Sequence, residues 1–201
     1  MEDLLVKKYE IKTQRIGKGK TRKGDKKKTE GQVLNRVVRR TDEGWELEAA
    51  LRHAELIIEQ LGLLDANTVS SPGTAALTPM TADDEEIDEE AELLSSSDAT
   101  AFRAIAARCN YLQPDRPDIQ FAVKECCRMM SKPTRKAWEM LKRIGRYLKG
   151  RPRLVWRYDW QAEQDIIDVH SDANWAGCRR SRQSSSGGTI AIGAHLITAI
   201  G

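Results

Sequence analysis

The residues in this chain whose types and spacing point to chemistry are mostly cations. From Pro133 the sequence runs as a helix with two unlike sides. Ala137, Trp138, Leu141, Ile144, Gly145 and Leu148 fall in one apolar arc, while Arg135, Lys136, Lys142, Arg143, Arg146 and Lys149 fill the other side. Arg151 and Arg153 follow directly, and Arg179, Arg180 and Arg182 form a second basic cluster further on. Ammonium and guanidinium groups on one face suit a polyanion, and nucleic-acid phosphates are the first candidate. A solvated helix face is the alternative reading of the same charges.

Among potential acid, base and metal groups the pattern is sparse. Asp172 closes the run DIIDVHSD, which alternates as a strand does: Ile167, Val169 and Ser171 on one face, Ile166, Asp168, His170 and Asp172 on the other. On these residues alone Asp172 reads as a polar strand-end group. His53, His170 and His195 are scattered and form no ligand pattern. Cys109, Cys126, Cys127 and Cys178 contain no CxxC, so they read as buried thiols in a reducing compartment.

The net charge of +3 hides strong segregation. Residues 1–40 carry about nine excess positive charges and residues 124–157 about ten, whereas residues 83–92 are almost wholly acidic. No apolar run reaches the ~20 residues that span a bilayer. The charged N-terminus lacks a secretory signal, so the expected location is intracellular, cytoplasmic or nuclear.

The elements that must position these groups can be read in order. Residues 4–16 suggest a strand, and residues 17–31 a flexible Lys/Gly-rich loop. Residues 33–40 and 45–48 read as two strands about the turn 41–44. A helix follows from Leu51 and stops at Gly62. Residues 65–97 read as an acidic flexible linker, with the serines Ser95, Ser96 and Ser97 mobile. Helical spacing then starts at Phe102. A second helix is expected after Asp118, taken as its N-cap, and a third ends with Gly150 as its C′ residue. Residues 154–158 and 165–172 read as strands, and residues 187–192 and 195–200 as a hairpin about Gly193-Ala194. Arg116 and Asp118 read as a structural pair, and Trp138 as core. Tyr147 fits neither face.

Two long motifs then carry a resemblance. YLQPDRPDIQFAV followed by MMSKPTRKAWEMLKRIGRYLKG resembles the segment after the polymerase palm in copia-type LTR retrotransposon Pol polyproteins, and HSDANWAGCRRSRQSSSGG resembles the first strand of their ribonuclease H domain. LNRVVRRTDEGWELEAALRHAELIIEQLGL is similar to their late reverse-transcriptase segment, and SSPG to its exit. The resemblance implies an α+β chain. Residues 1–64 would be the end of the palm and thumb region, with an N-terminal β-hairpin and helix. Residues 65–97 would be the linker, residues 98–157 a helical connection, and residues 158–201 an incomplete ribonuclease H-like β-meander.

Family polymerases use clustered carboxylates, including a Tyr-x-Asp-Asp turn, and divalent metal, Mg2+ in the parent family. Asp83-Asp84 has no Tyr before it, so the palm is expected before Met1. Asp172 matches the first catalytic, metal-binding Asp of the family's S-D-A-D-W-A-G pattern, while Asn174 stands where the family commonly has a second Asp. The remaining carboxylates are expected beyond Gly201. One carboxylate cannot fix two metals. The expectation is therefore a Pol fragment that is inactive alone, binds no metal or small-molecule substrate, and at most binds an RNA–DNA hybrid or other nucleic acid. A repurposed basic helical module and an inactive gene fragment are the alternatives.

Overall fold

The computed structural model describes residues 8–10, 16–17, 28–74, 92–176, 182 and 184–201. Strands β1 (Glu30–Val33), β2 (Arg36–Arg40) and β3 (Gly44–Ala49) lead into helix α1 (Arg52–Gln60). Helix α2 (Ser96–Leu112) is followed by two short 3-10 turns, Gln113–Asp115 and Pro117–Ile119. Helices α3 (Gln120–Arg128) and α4 (Arg135–Gly150) come next, and then strand β4 (Val155–Asp159). Strands β5 (Asp168–Asn174), β6 (Ser185–Ile192) and β7 (His195–Ile200) end the chain. Two antiparallel sheets, ordered β1-β2-β3-β4 and β5-β6-β7, make the expected α+β class.

The first sheet differs from the expected single strand over residues 33–40. The chain reverses at Leu34-Asn35, where φ is 49° and 60°. Positive φ at both central residues is the hairpin geometry whose twist matches the flanking strands. Asn tolerates that region, whereas Leu is a poor turn signal because its Cβ resists it. Glu30 and Gly31, expected in a loop, therefore belong to β1. Most of the strand expected over residues 4–16, and the loop tip at residues 18–27, lie outside the described residues. Ile16 makes one parallel bridge to Lys28.

Strand β4 completes this same sheet, pairing from Gly44↔Asp159 to Glu48↔Val155. The N-terminal hairpin and the helical connection thus form one body. Their shared core is helical: Ile57 from α1, Phe102 and Cys109 from α2, Val123 from α3, and Leu141, Ile144 and Leu148 from α4 are all fully buried.

Several boundaries move for local reasons. Helix α2 begins well before Phe102, because Ser95 caps it: its Oγ accepts from Asp98 N at 3.1 Å. Asp118 does not cap α3. It lies inside a 3-10 turn, and no side chain caps that helix. Gly150 is the last helical residue rather than a left-handed C′ residue. A Cβ there would sit 2.9 Å from the Thr68 Cβ, so glycine permits close approach of the preceding loop. Part of the expected linker is docked: Ala66 and Val69 pack against the core, and Leu93 bridges Thr134. Residues 75–91, with most of the acidic run, lie outside the described residues.

The second sheet pairs β5 with β6 from Asp168↔Ala191 to Asn174↔Ser185. Asp172 therefore lies inside its strand rather than at the end. None of the buried core residues comes from β5, β6 or β7. Polar contacts tie this sheet to the body. Gln120 Nε2 donates to Ala199 O at 2.9 Å, Gln161 Nε2 to Ile192 O at 2.9 Å, and His195 Nε2 lies 2.7 Å from Asp159 O.

Candidate nucleic-acid interface and the Asp172 groove

Thr134 starts α4 by accepting from Ala137 N at 3.3 Å. Burial of Ala137, Leu141, Ile144 and Leu148 fixes the rotation of the helix, so the charged arc turns away from the core. The cations on that arc then divide. Arg135 pairs with Glu92 at 2.6 Å and Lys142 with Glu139 at 2.9 Å, both at the surface. Lys136 is exposed. Arg146 and Lys149 instead hold the chain after α1. Arg146 Nε donates to Asn67 O at 2.6 Å, and Lys149 Nζ donates to Leu64 O at 2.6 Å and Ala66 O at 2.8 Å. Arg143 Nε is enclosed with no hydrogen-bond partner among the described residues.

Arg153 leaves the helix to fork onto Glu48, at 2.8 Å from Nε and 3.1 Å from Nη2. Glu48 is only 4% exposed, and Arg39 reaches it from β2. Burial pushes its carboxyl pKa up, but the hydrogen bonds and charges of Arg153 and Arg39 outweigh burial and hold it below the ordinary value. Arg153 is thus engaged in fastening α4 to the first sheet.

A node beneath this face carries no obvious signal in the sequence beyond the Arg116–Asp118 pair. Arg116 is 2% exposed. Its Nε and Nη2 donate to the Asp118 carboxylate at 2.9 and 2.7 Å, and Nη2 also donates to Arg151 O at 2.9 Å. Tyr147 donates its hydroxyl proton to Asp118 Oδ2 at 2.9 Å. Burial first, and the hydrogen bond to Asp118 second, push the Tyr147 phenol above its ordinary pKa. The node sets the direction in which the chain leaves α4, and with it the position of Arg151, which has no side-chain partner among the described residues.

Asp172 lies across from Gly187 on an exposed strand. It borders an open groove with His170 and Thr189 on one wall and Pro117, Gln120 and Phe121 on the other. Among the described residues no group of three or more His, Cys, Asp or Glu side chains could hold a metal ion. A two-metal nuclease centre needs several convergent carboxylates. The one carboxylate in this groove does not fit that centre. Asn174 has a structural partner, since its Oδ1 accepts from Ser185 N at 2.5 Å. Arg182 is exposed and at positive φ. Arg179, Arg180 and Cys178 lie outside the described residues.

Burial keeps two of the described thiols in the protonated form. Cys109 and Cys126 are buried, and burial pushes the Cys126 thiol up to about 12. Among the described residues no helix is long and apolar enough to cross a membrane.

Several curated proteins are similar to this chain in sequence. Over 147 residues, 73% of its length, the chain is 29% identical to an uncharacterized mitochondrial protein of Arabidopsis thaliana, covering 57% of that protein. It is 35% identical over 104 residues to the retrovirus-related Pol polyprotein from transposon RE1 of the same plant, and 34% identical over 103 residues to that from transposon RE2. Those matches cover 51% and 50% of this chain but only 7% of each polyprotein. The chain thus spans little more than half of the first relative and a small part of the other two. No family model matches it, and no solved structure does.

Proposed function

We propose that this chain, a segment related to copia-type retrotransposon Pol polyproteins, is a nucleic-acid-binding connector that grips phosphates and performs no cleavage by itself. The observation that supports the reading is the division of cations along α4. Arg146, Lys149 and Arg153 are held by internal oxygens, whereas Arg135 and Lys142 are held only by exposed carboxylates. Exposed ion pairs contribute about 0–1 kcal/mol, so a phosphate can displace Glu92 or Glu139 at small cost. Arg135, Lys136, Lys142, Arg143 and Arg151 are then the phosphate-contacting set, and an RNA–DNA hybrid is the ligand the kinship favours.

Fluorescence anisotropy with a labelled RNA–DNA hybrid tests this. Affinity should fall steeply with salt, with each phosphate contact contributing roughly 0.9 to the log–log slope. The combined variant Lys136→Gln, Lys142→Gln and Arg143→Gln should bind more weakly and with a shallower slope. Absent or salt-independent binding overturns the reading. Incubation of the hybrid with Mg2+ should leave it intact. Cleavage that disappears in Asp172→Ala would restore a nuclease role.

A further inference from the structure

Helix α2 buries one arc, through Phe102, Ile105, Ala106, Cys109 and Leu112. Tyr111 falls off that arc and is 52% exposed. Two other elements nevertheless fix its ring. His53, in the first turn of α1, packs against it with ring centroids 4.9 Å apart and planes inclined at 45°. Asn35, at the β1–β2 turn, donates from Nδ2 to the Tyr111 hydroxyl at 3.2 Å. The ring is held from two sides while more than half of the residue stays open to solvent.

The charge around this junction is mainly positive. Arg52, next to His53 in α1, is exposed and has no side-chain partner among the described residues. Arg108, one turn before Tyr111, has its Nε enclosed without a hydrogen-bond partner among the described residues. Its charge reaches His53: burial first, and Arg108 second, hold that imidazole below its ordinary pKa, so the ring behind Tyr111 is neutral at pH 7. Arg36 is offset by Asp115 at 2.6 Å. Glu55 is the acidic residue in the first turn of α1, which leaves two guanidinium groups against one carboxylate.

We propose that Tyr111 is a stacking platform for one unpaired base of a nucleic-acid strand. The proposal rests on the reading of α4 as a phosphate-contacting face and extends that face to a single-stranded segment. The chemistry selects this occupant. A π-face beside guanidinium groups suits a base with its phosphate, whereas an apolar peptide would leave the cations without a counter-charge. A ring already held in place gives up little freedom when a base stacks on it. The site is also continuous with the α4 face. Arg116, five residues after Tyr111, donates to Arg151 O at 2.9 Å. Five residues of chain span at most about 18 Å, so a strand gripped at Arg151 reaches Tyr111 with a short unpaired tail.

Anisotropy with two probes tests this: a blunt RNA–DNA hybrid, and the same hybrid carrying a short single-stranded DNA tail. The tailed probe should bind the full chain roughly five- to a hundred-fold more tightly. Tyr111→Ala should abolish that advantage and leave blunt-hybrid affinity unchanged, whereas Tyr111→Phe, which keeps the ring, should retain it. Should Tyr111→Ala fail to fold, Tyr111→Leu, which fills the space without a π-face, carries the same expectation. Arg52→Gln should make the salt dependence shallower for the tailed probe alone. Equal affinity for both probes in the parent overturns the platform and leaves the α4 reading standing. So does a tail advantage that survives Tyr111→Ala. If the blunt hybrid does not bind, the α4 reading fails, and a single-stranded oligonucleotide containing 2-aminopurine decides the platform separately. Tyr111-dependent quenching supports it, and no quenching overturns it. Self-association lost in Tyr111→Ala, with no tail advantage in the parent, assigns the ring to a second copy and overturns the proposal.

Discussion

Replacing Asp118 by Ala tests how the end of α4 is held. In the native structure Asp118 takes two hydrogen bonds from the Arg116 guanidinium and one from the Tyr147 hydroxyl. Alanine leaves that guanidinium 2% exposed, with carbonyl oxygens as its remaining acceptors. It also strips the Tyr147 hydroxyl of its acceptor. Removing one partner of a buried ion pair costs about 3–5 kcal/mol. The Asp118 side chain is itself 21% exposed, so water can reach part of the gap, and the expected cost lies near the lower end, about 3 kcal/mol. Against a total stability of roughly 5–15 kcal/mol that is a large loss.

Urea unfolding followed by tryptophan fluorescence measures this loss, because Trp156 donates to Asp115 O beside the node. Tyr147→Phe removes one donor to a carboxylate and should cost less, about 1.5 kcal/mol. Arg116→Met combined with Asp118→Leu should cost less than the sum of the single changes, because no unpaired charge remains buried. An Asp118→Ala protein within about 1 kcal/mol of the parent would refute the view that this pair anchors the helix exit.

Three other outcomes follow from the same geometry. Because the folded pKa of Tyr147 is raised, its contribution is fully present below the unfolded value and is lost as pH rises through the folded one; Tyr147→Phe should flatten the alkaline limb of stability. Glu48 has the opposite sign. Its folded pKa is lowered, so its contribution is present above the unfolded value and lost as pH falls through the folded one, and Glu48→Gln should flatten the acid limb while costing about 1.5–3 kcal/mol at neutral pH. Lys149→Gln should lower stability by about 1 kcal/mol and speed amide exchange over residues 63–69, with hybrid affinity little changed; a loss of affinity without loss of stability would show that Lys149 belongs to the phosphate set.

The legible parts of the fold were those written in periodicity. The apolar arc of α4, the face of α2 through Ile105 and Cys109, and the Gly193-Ala194 turn each follow from local spacing. The hairpin at Leu34-Asn35 was hidden because β-branched residues flank a turn that lacks glycine. The pairing of β3 with β4 joins residues more than a hundred positions apart, and no local pattern encodes it. Asp118 misled because an Asp before a helix fits both a cap and an ion pair. The choice depended on Tyr147, one helix away, pointing at the same carboxylate.

The basic face shows why charge pattern alone could not define an interface. Helical geometry placed six cations on one side of α4, and the fold confirms that none of them faces the core cluster formed by Leu141, Ile144 and Leu148. Yet a helix side turned from its own core can still meet another part of the chain. The segment after α1 runs along the C-terminal half of α4 because Gly150 lets Thr68 approach, and it presents main-chain carbonyls that need donors. Arg146 and Lys149 supply them. A cation so bound must break a main-chain hydrogen bond before it can meet a phosphate, and it would leave a carbonyl unsatisfied. Arg135 and Lys142 have only to exchange one solvated anion for another. Any interface on this helix is therefore weighted toward its N-terminal half and toward Arg151 at the exit that the Arg116 node positions.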